Sequence, residues 1–286
     1  GQASAQSGAG GQPGQPGQPT ACDPVRLELY NHRFSAIAEQ MGVRLQQSSR
    51  SVNIRERLDF SCALFDGAGQ LVANAPHIPV HLGSMGESVA ALLAAISRGE
   101  RPPLAPGDEV ASNDPYSGGT HLPDITVISP VFEPGVGMDW SDADGSVGAG
   151  SVGAGAPDVR LPLFYVACRG HHADVGGLTP GSMPPFSRSI LDEGLRLDNV
   201  PLIQHGCLDL GAWRERLTDG HQPVRDPERL LADLQAQVAA NRLGEAELHR
   251  LMTQQGTADV VAAMGDVQCN AAEAVRSVID RLRPGR

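Results

Sequence analysis

The sequence predicts an α+β fold, with mixed or antiparallel central strands, flanking helices and a helical C-terminal part. Three observations carry that expectation. Runs rich in β-branched and aromatic residues cluster mid-chain, at LDFSCALF, ITVISPVF and LPLFYVAC. Apolar residues recur at helical spacing towards both ends. With 286 residues and 41% apolar content, the chain can fill one large core or two small ones.

The elements follow in order. Residues 1–23 are a Gly/Gln/Pro segment with a repeated GQP triplet, expected to be a linker or tail ahead of a domain over 24–286. From Pro24, Leu27, Tyr30, Phe34, Ile37 and Met41 mark one helix face. LDFSCALFDGAGQLVAN reads as two strands around a DGAG turn. Ser84 with Glu87 three residues later is a capping-box pattern, opening a helix to about Arg98. PGDEV (106–110) turns into a short strand, and ITVISPVF (125–132) and LPLFYVAC (161–168) read as interior strands. Between those two lies a second low-complexity stretch, 138–158, where SVGAG occurs twice; an outward loop insert is expected there. Pro227 suits a helix start, Leu230, Leu234, Val238 and Asn241 share a face, and Gly256 divides two long helices.

Composition excludes several function classes. A net charge of −11 argues against nucleic acid or an anionic membrane as partner. All 22 basic residues are arginine, so a Schiff-base lysine, a Ser-Lys dyad and a P-loop GK[ST] are ruled out. Five cysteines without CxxC spacing fit free thiols in a reducing compartment. With no apolar run near 18 residues and no basic-then-apolar leader, a soluble, cytoplasmic protein is expected. A first residue other than Met suggests a piece of a longer polypeptide.

Three segments concentrate polar groups beside glycine and proline. In NAPHIPVHLGSMGE, His77 and His81 lie four apart, but Pro76 and Pro79 argue against a helical metal pair, leaving a structural or substrate-contacting role open. In NDPYSGGTHLPDITVISP, His121 and Asp124 are three apart; Gly118 and Gly119 would let the backbone approach a ligand, although the stretch is also ordinary turn chemistry. In RGHHADVGG, His171, His172 and Asp174 follow an expected strand, and adjacent extended residues point oppositely, so one imidazole faces a site. Were the strands at 125–132 and 161–168 antiparallel neighbours, His121 and Asp124 would lie near His171. Two His and one Asp suit Zn²⁺, Mn²⁺ or Fe²⁺ with positions left for water and substrate; hydrogen-bonded turn residues are the alternative. Asp59 and Ser61 alternate onto one strand face, and Glu193 is a candidate acid/base carboxylate or a solvated turn residue. Cys62 and Cys168 read as core thiols.

RERLDFSCALFD, NAPHIPVHLGSMGESV, NDPYSGGTHLPDITVISPVF, FYVACRGHHADVGGLTPGSMPP, EGLRL and DLQAQVAANRLG occur in that order. Together they resemble the hydantoinase B/oxoprolinase family, over roughly Val25 to Leu282. The resemblance implies the hydrolase module of an ATP-dependent enzyme that opens the lactam of 5-oxo-L-proline to L-glutamate. It implies a divalent metal held by His121, Asp124 and His171, with His172 as the alternative third ligand. Asp59, His81 and Glu193 are then acid/base candidates or groups behind the ligands. ATP and Mg²⁺ would be used by a hydantoinase-A-like domain or subunit as partner, in an oligomeric assembly; this chain has neither phosphate loop nor lysine. An N-methylhydantoinase or ketone-carboxylase subunit is the alternative within the family, and a catalytically silent assembly fragment the alternative outside catalysis. The insert at 138–158 departs from the family pattern, and relatives are expected to continue beyond the end of this chain.

Overall fold

A computed structural model describes residues 23–76, 81, 83–135 and 161–282. The proposed linker, the 138–158 insert and His77 lie outside the described residues. Helix α1 (Pro24–Ser48) is followed by the single turn α2 (Val52–Arg55), the hairpin β1 (Phe60–Asp66) and β2 (Leu71–Pro76), and helix α3 (Ser84–Ser97). Then come β3 (Glu109–Ser112), β4 (Asp124–Val131), β5 (Phe164–His171), β6 (Val200–Ile203) and three helices, α4 (Leu210–Thr218), α5 (Pro227–Gln255) and α6 (Thr257–Arg281). The six strands form one sheet in the order β2-β1-β5-β4-β3-β6, and every neighbouring pair is antiparallel. This is the α+β layout expected from the pattern of apolar runs. No helix among the described residues is long and apolar enough to cross a membrane.

The strand alternation divides the sheet into two faces. Phe60, Cys62, Leu64, Ile125, Val127, Val166 and Cys168 face a large core built with α1, α5 and α6. The expected periodic residues Tyr30, Phe34, Ile37 and Met41 of α1, and Leu230, Leu234 and Val238 of α5, are all buried there. Ala63, Phe65, Val110, Ile128, Tyr165 and Ala167 face the other way, under Met85, Val89 and Leu92 of α3. Burial lifts the thiols of Cys62 and Cys168 well above the ordinary cysteine range, consistent with core packing rather than nucleophilic use.

The structure corrects four local expectations. Ser84 is the first helical residue of α3 rather than its cap; Gly83 occupies the N-cap at φ +85°, and no side chain caps the end. The serine hydroxyl is instead claimed by a buried arginine and by the carbonyl of His81. The strands expected at 125–132 and 161–168 run over 124–131 and 164–171, so Asp124 and His171 are strand residues rather than loop residues. The glycines of SGGT serve a different close approach. A Cβ on Gly118, at φ +82°, would lie 2.4 Å from the backbone of Glu87, and one on Gly119 would lie 2.6 Å from the carbonyl oxygens of Asn113 and Asp114. They seat the loop against α3 and its own turn. Finally, a helix precedes the one expected from Pro227: α4 buries only Trp213 and Leu217, too few apolar positions for a period to stand out.

Candidate metal centre

Antiparallel pairing of β4 and β5 sets Asp124 directly opposite His171. The next strand completes the row, because the His171 amide donates to the carbonyl of Asp59 at 2.9 Å. His121 reaches the same point from the turn before β4, whose backbone closes on itself through the Asp124 amide donating to the His121 carbonyl at 3.0 Å. Fifty residues of sequence separation therefore collapse to one register pair plus one tight turn.

The convergence is on the carboxylate of Asp124, which is almost fully buried. His171 Nδ1 lies 3.0 Å from Oδ1, and His121 Nδ1 lies 3.1 Å from Oδ2. Thr120 Oγ1 donates to Oδ2 at 2.6 Å. The two imidazole rings are 5.0 Å apart between centroids. Burial alone would raise the Asp124 pKa, but the imidazoles of His121, His171 and His81 and the hydroxyl of Thr120 override it and hold the carboxyl far below the usual carboxylate range. The Asp124 hydrogen bond in turn lifts His121 above the ordinary imidazole value, against an opposing contribution from burial.

His81 stands behind this group, on the chain leading into α3. It is 1% exposed; its Nδ1 meets Ser61 Oγ at 3.2 Å, while Nε2 lies 3.4 Å from Asp124 Oδ2 without a hydrogen-bond partner. Asp59 sits at the mouth, half-buried, with Oδ2 3.9 Å from His171 Nδ1. The adjacent imidazoles do point oppositely. His172 is buried on the other face, where its Nε2 meets Gln237 Oε1 at 3.0 Å. Gln237 spends both amide hydrogens on the carbonyls of Ile125 and Cys168, so its oxygen accepts and His172 Nε2 donates. Of the two histidines, only His171 faces Asp124. Glu193 is not drawn in: its carboxylate accepts from Ser187 at 3.0 Å.

Two contributors escaped sequence reasoning, Thr120 and Arg169. An arginine inside the apolar run FYVACRGH was the available signal for the second, since a buried charge needs matched polar partners.

The donor set fits a divalent cation. Ligand atoms from His121, Asp124 and His171 all lie within 4.8 Å of one another. Two imidazole nitrogens with one carboxylate oxygen, leaving further positions open, suit a borderline transition metal. The unpartnered Nε2 of His81, buried beside Oδ2, is a further sign that a cation's charge belongs at this point.

Comparisons with known proteins bear on what such a centre serves. The profile of the Hydantoinase B/oxoprolinase family matches residues 23–286. The 5-oxoprolinase 1 of Arabidopsis thaliana is 45% identical over 268 residues, covering 90% of this chain and 19% of the plant protein. The 5-oxoprolinase of Saccharomyces cerevisiae is 39% identical over 266 residues, again 91% of this chain but 18% of the yeast protein. The chain thus spans about a fifth of the length of these relatives. Among solved structures, the ATP-dependent caprolactamase of Pseudomonas jessenii superposes with a TM-score of 0.73 at 26% identity, over 93% of this chain and 40% of that one. Acetone carboxylase in its nucleotide-free form shares the fold, with a TM-score of 0.69 at 17% identity over 85% of this chain and 28% of its own.

Proposed function

Since the chain belongs to the hydantoinase B/oxoprolinase family, we propose that it is the hydrolase module of an ATP-dependent enzyme that opens 5-oxo-L-proline to L-glutamate. The observation that carries this reading is the convergence of His121 and His171 on Asp124. Two relatives named 5-oxoprolinase, and a structural neighbour named ATP-dependent caprolactamase, support cyclic amides as the substrate class.

An amide resists hydrolysis because its carbonyl is a weak electrophile and its nitrogen a poor leaving group. In this reading ATP activates the lactam on a hydantoinase-A-like partner, since this chain has no lysine and no phosphate loop. His121, Asp124 and His171 would hold the cation, which when bound supplies Lewis acidity towards an acyl oxygen and makes water a stronger acid. The residues themselves do the rest. Thr120 donates to Asp124 Oδ2, and His81 packs beside the same oxygen, so the carboxylate is oriented before substrate arrives. Ser61 fixes the ring of His81 in turn. Asp59, with its carboxylate at the mouth and within 3.9 Å of His171, is the group placed to take the proton of the attacking water.

Reconstitution with a hydantoinase-A-like partner tests the reading. Glutamate should be released from 5-oxo-L-proline, with ATP consumed, and hydantoins should be poor substrates. Metal analysis of the same preparation should find about one divalent ion per chain. Absence of any stoichiometric metal, together with full activity in His121→Ala, would sink it.

A further inference from the structure

Among the described residues, Arg169 is the largest side chain with no solvent exposure. It lies on the same face of β5 as His171, two residues earlier. Its guanidinium has no carboxylate partner among the described residues. Nε donates to Thr126 Oγ1, Nη1 to Ser84 Oγ and Nη2 to Ser88 Oγ, each at 2.7 Å, and Nη2 also lies 3.4 Å from the carbonyl of Gly118. Burial pushes it down to about 10, which still leaves it charged at neutral pH, and the nearest compensating charge is Asp124.

Each acceptor belongs to a segment that carries part of the metal centre. Thr126 lies two residues after Asp124 on β4. Ser84 Oγ also donates to the carbonyl of His81, at 3.2 Å. Gly118 precedes Thr120 and His121, and its carbonyl is further bound by Ser88 Oγ at 2.7 Å. Arg169 itself shares a strand with His171. One planar fork therefore joins the four segments bearing His81, His121, Asp124 and His171. Replacing a buried ion by an apolar side chain of similar volume is commonly neutral or stabilising, so stability alone does not account for a buried, carboxylate-free arginine. A lysine would supply a point charge without the fork.

We propose that Arg169 is a positioning residue: it fixes these four segments in the one arrangement that binds the divalent cation. This rests on the metal-centre reading for its second measurement but not for its first. The test uses the full chain with Arg169→Met, Arg169→Lys, Ser88→Ala, and Leu248→Ala as a destabilised control from the opposite face. Amide hydrogen exchange reads the tether directly, and Mn²⁺ titration followed by electron paramagnetic resonance reads the centre. In Arg169→Met and Arg169→Lys, exchange should quicken about tenfold or more over residues 84–88 and 117–121 while the core of α5 stays protected. Mn²⁺ affinity should fall roughly 10- to 100-fold, less in Arg169→Lys, and stay unchanged in Leu248→Ala. Wild-type exchange in both segments of a folded Arg169→Met, with wild-type Mn²⁺ affinity, would overturn the proposal. Should Arg169→Met not fold, unchanged exchange at 117–121 in both Arg169→Lys and Ser88→Ala overturns it equally. A wild-type chain that takes no Mn²⁺ refutes the metal centre, and exchange in Arg169→Lys then still decides the positioning role.

Discussion

The two faces of the sheet are made by alternate residues of the same strands, yet they are built to opposite ends. Towards α1, α5 and α6 the strands present Phe60, Cys62, Leu64, Val127, Val166 and Cys168, a continuous apolar layer. Towards α3, the matching rows grade from apolar to charged. Ala63, Ala167 and Ile128 give way to Ser61, Arg169 and Thr126, then to Asp59, His171 and Asp124 at the sheet's end. The first face is what apolar burial stabilises; the second carries polar groups that cost desolvation, which their mutual contacts offset in large part. Stability and chemistry are thus separated by the pleat, a single residue apart.

That separation can be broken at graded strengths. The largest effect is expected from Asp124→Asn, which keeps the shape but removes the charge on which three imidazoles converge; turnover in the reconstituted enzyme should fall roughly 10²- to 10⁴-fold, with Mn²⁺ binding lost. If that variant retains wild-type turnover, the polar face is not the reacting face. Leu234→Ala should do the reverse, lowering unfolding free energy by about 2–5 kcal/mol in denaturant titration while leaving Mn²⁺ affinity unchanged. Gly118→Ala should fall between, costing about 1–3 kcal/mol because a Cβ meets the backbone of Glu87 at positive φ, and loosening the loop of His121 as it does so.

A pH test sharpens the picture of the apolar face, where Arg242 and Glu109 form a buried ion pair at 3.3 Å. Burial raises Glu109 to about 7, against the opposing pull of Arg242 and Ser129. A carboxyl whose folded pKa is raised keeps its proton longer in the folded chain than in the unfolded one. Its stabilising contribution is therefore complete below about pH 4.5 and lost as pH rises to about 7. Unfolding free energies of wild type and Glu109→Gln, compared across that window, should diverge by at most about 3 kcal/mol. A parallel pair of curves would show that Glu109 is ionised throughout.

The strands, the long helices and their buried faces were legible in the sequence because period and burial coincide there: α5 shows Leu230, Leu234 and Val238 on one side, and all three are core. The central histidine–aspartate trio was legible for a different reason, since antiparallel pairing of two adjacent strands is the simplest connection and brings strand start to strand end. What stayed hidden depends on tertiary choice. Ser84 reads as a helix cap until a guanidinium from β5 takes its hydroxyl. Gly118 reads as room for a ligand until α3 is seen to fill that space. β6 pairs with β3 through only a few residues and has no pattern of its own. His171 and His172 are indistinguishable by composition, and strand parity alone separates them.

The hairpin of β4 and β5 has one further consequence. Its two strands pair from Val131 and Phe164 at one end to Asp124 and His171 of the candidate metal centre at the other, seven residues away on each strand. At about 3.3 Å per residue, roughly 23 Å of sheet separates the candidate centre from Val131 and Phe164. A fluorophore carried on Leu161→Cys, an exposed position three residues before β5, would report on the protein from that far end.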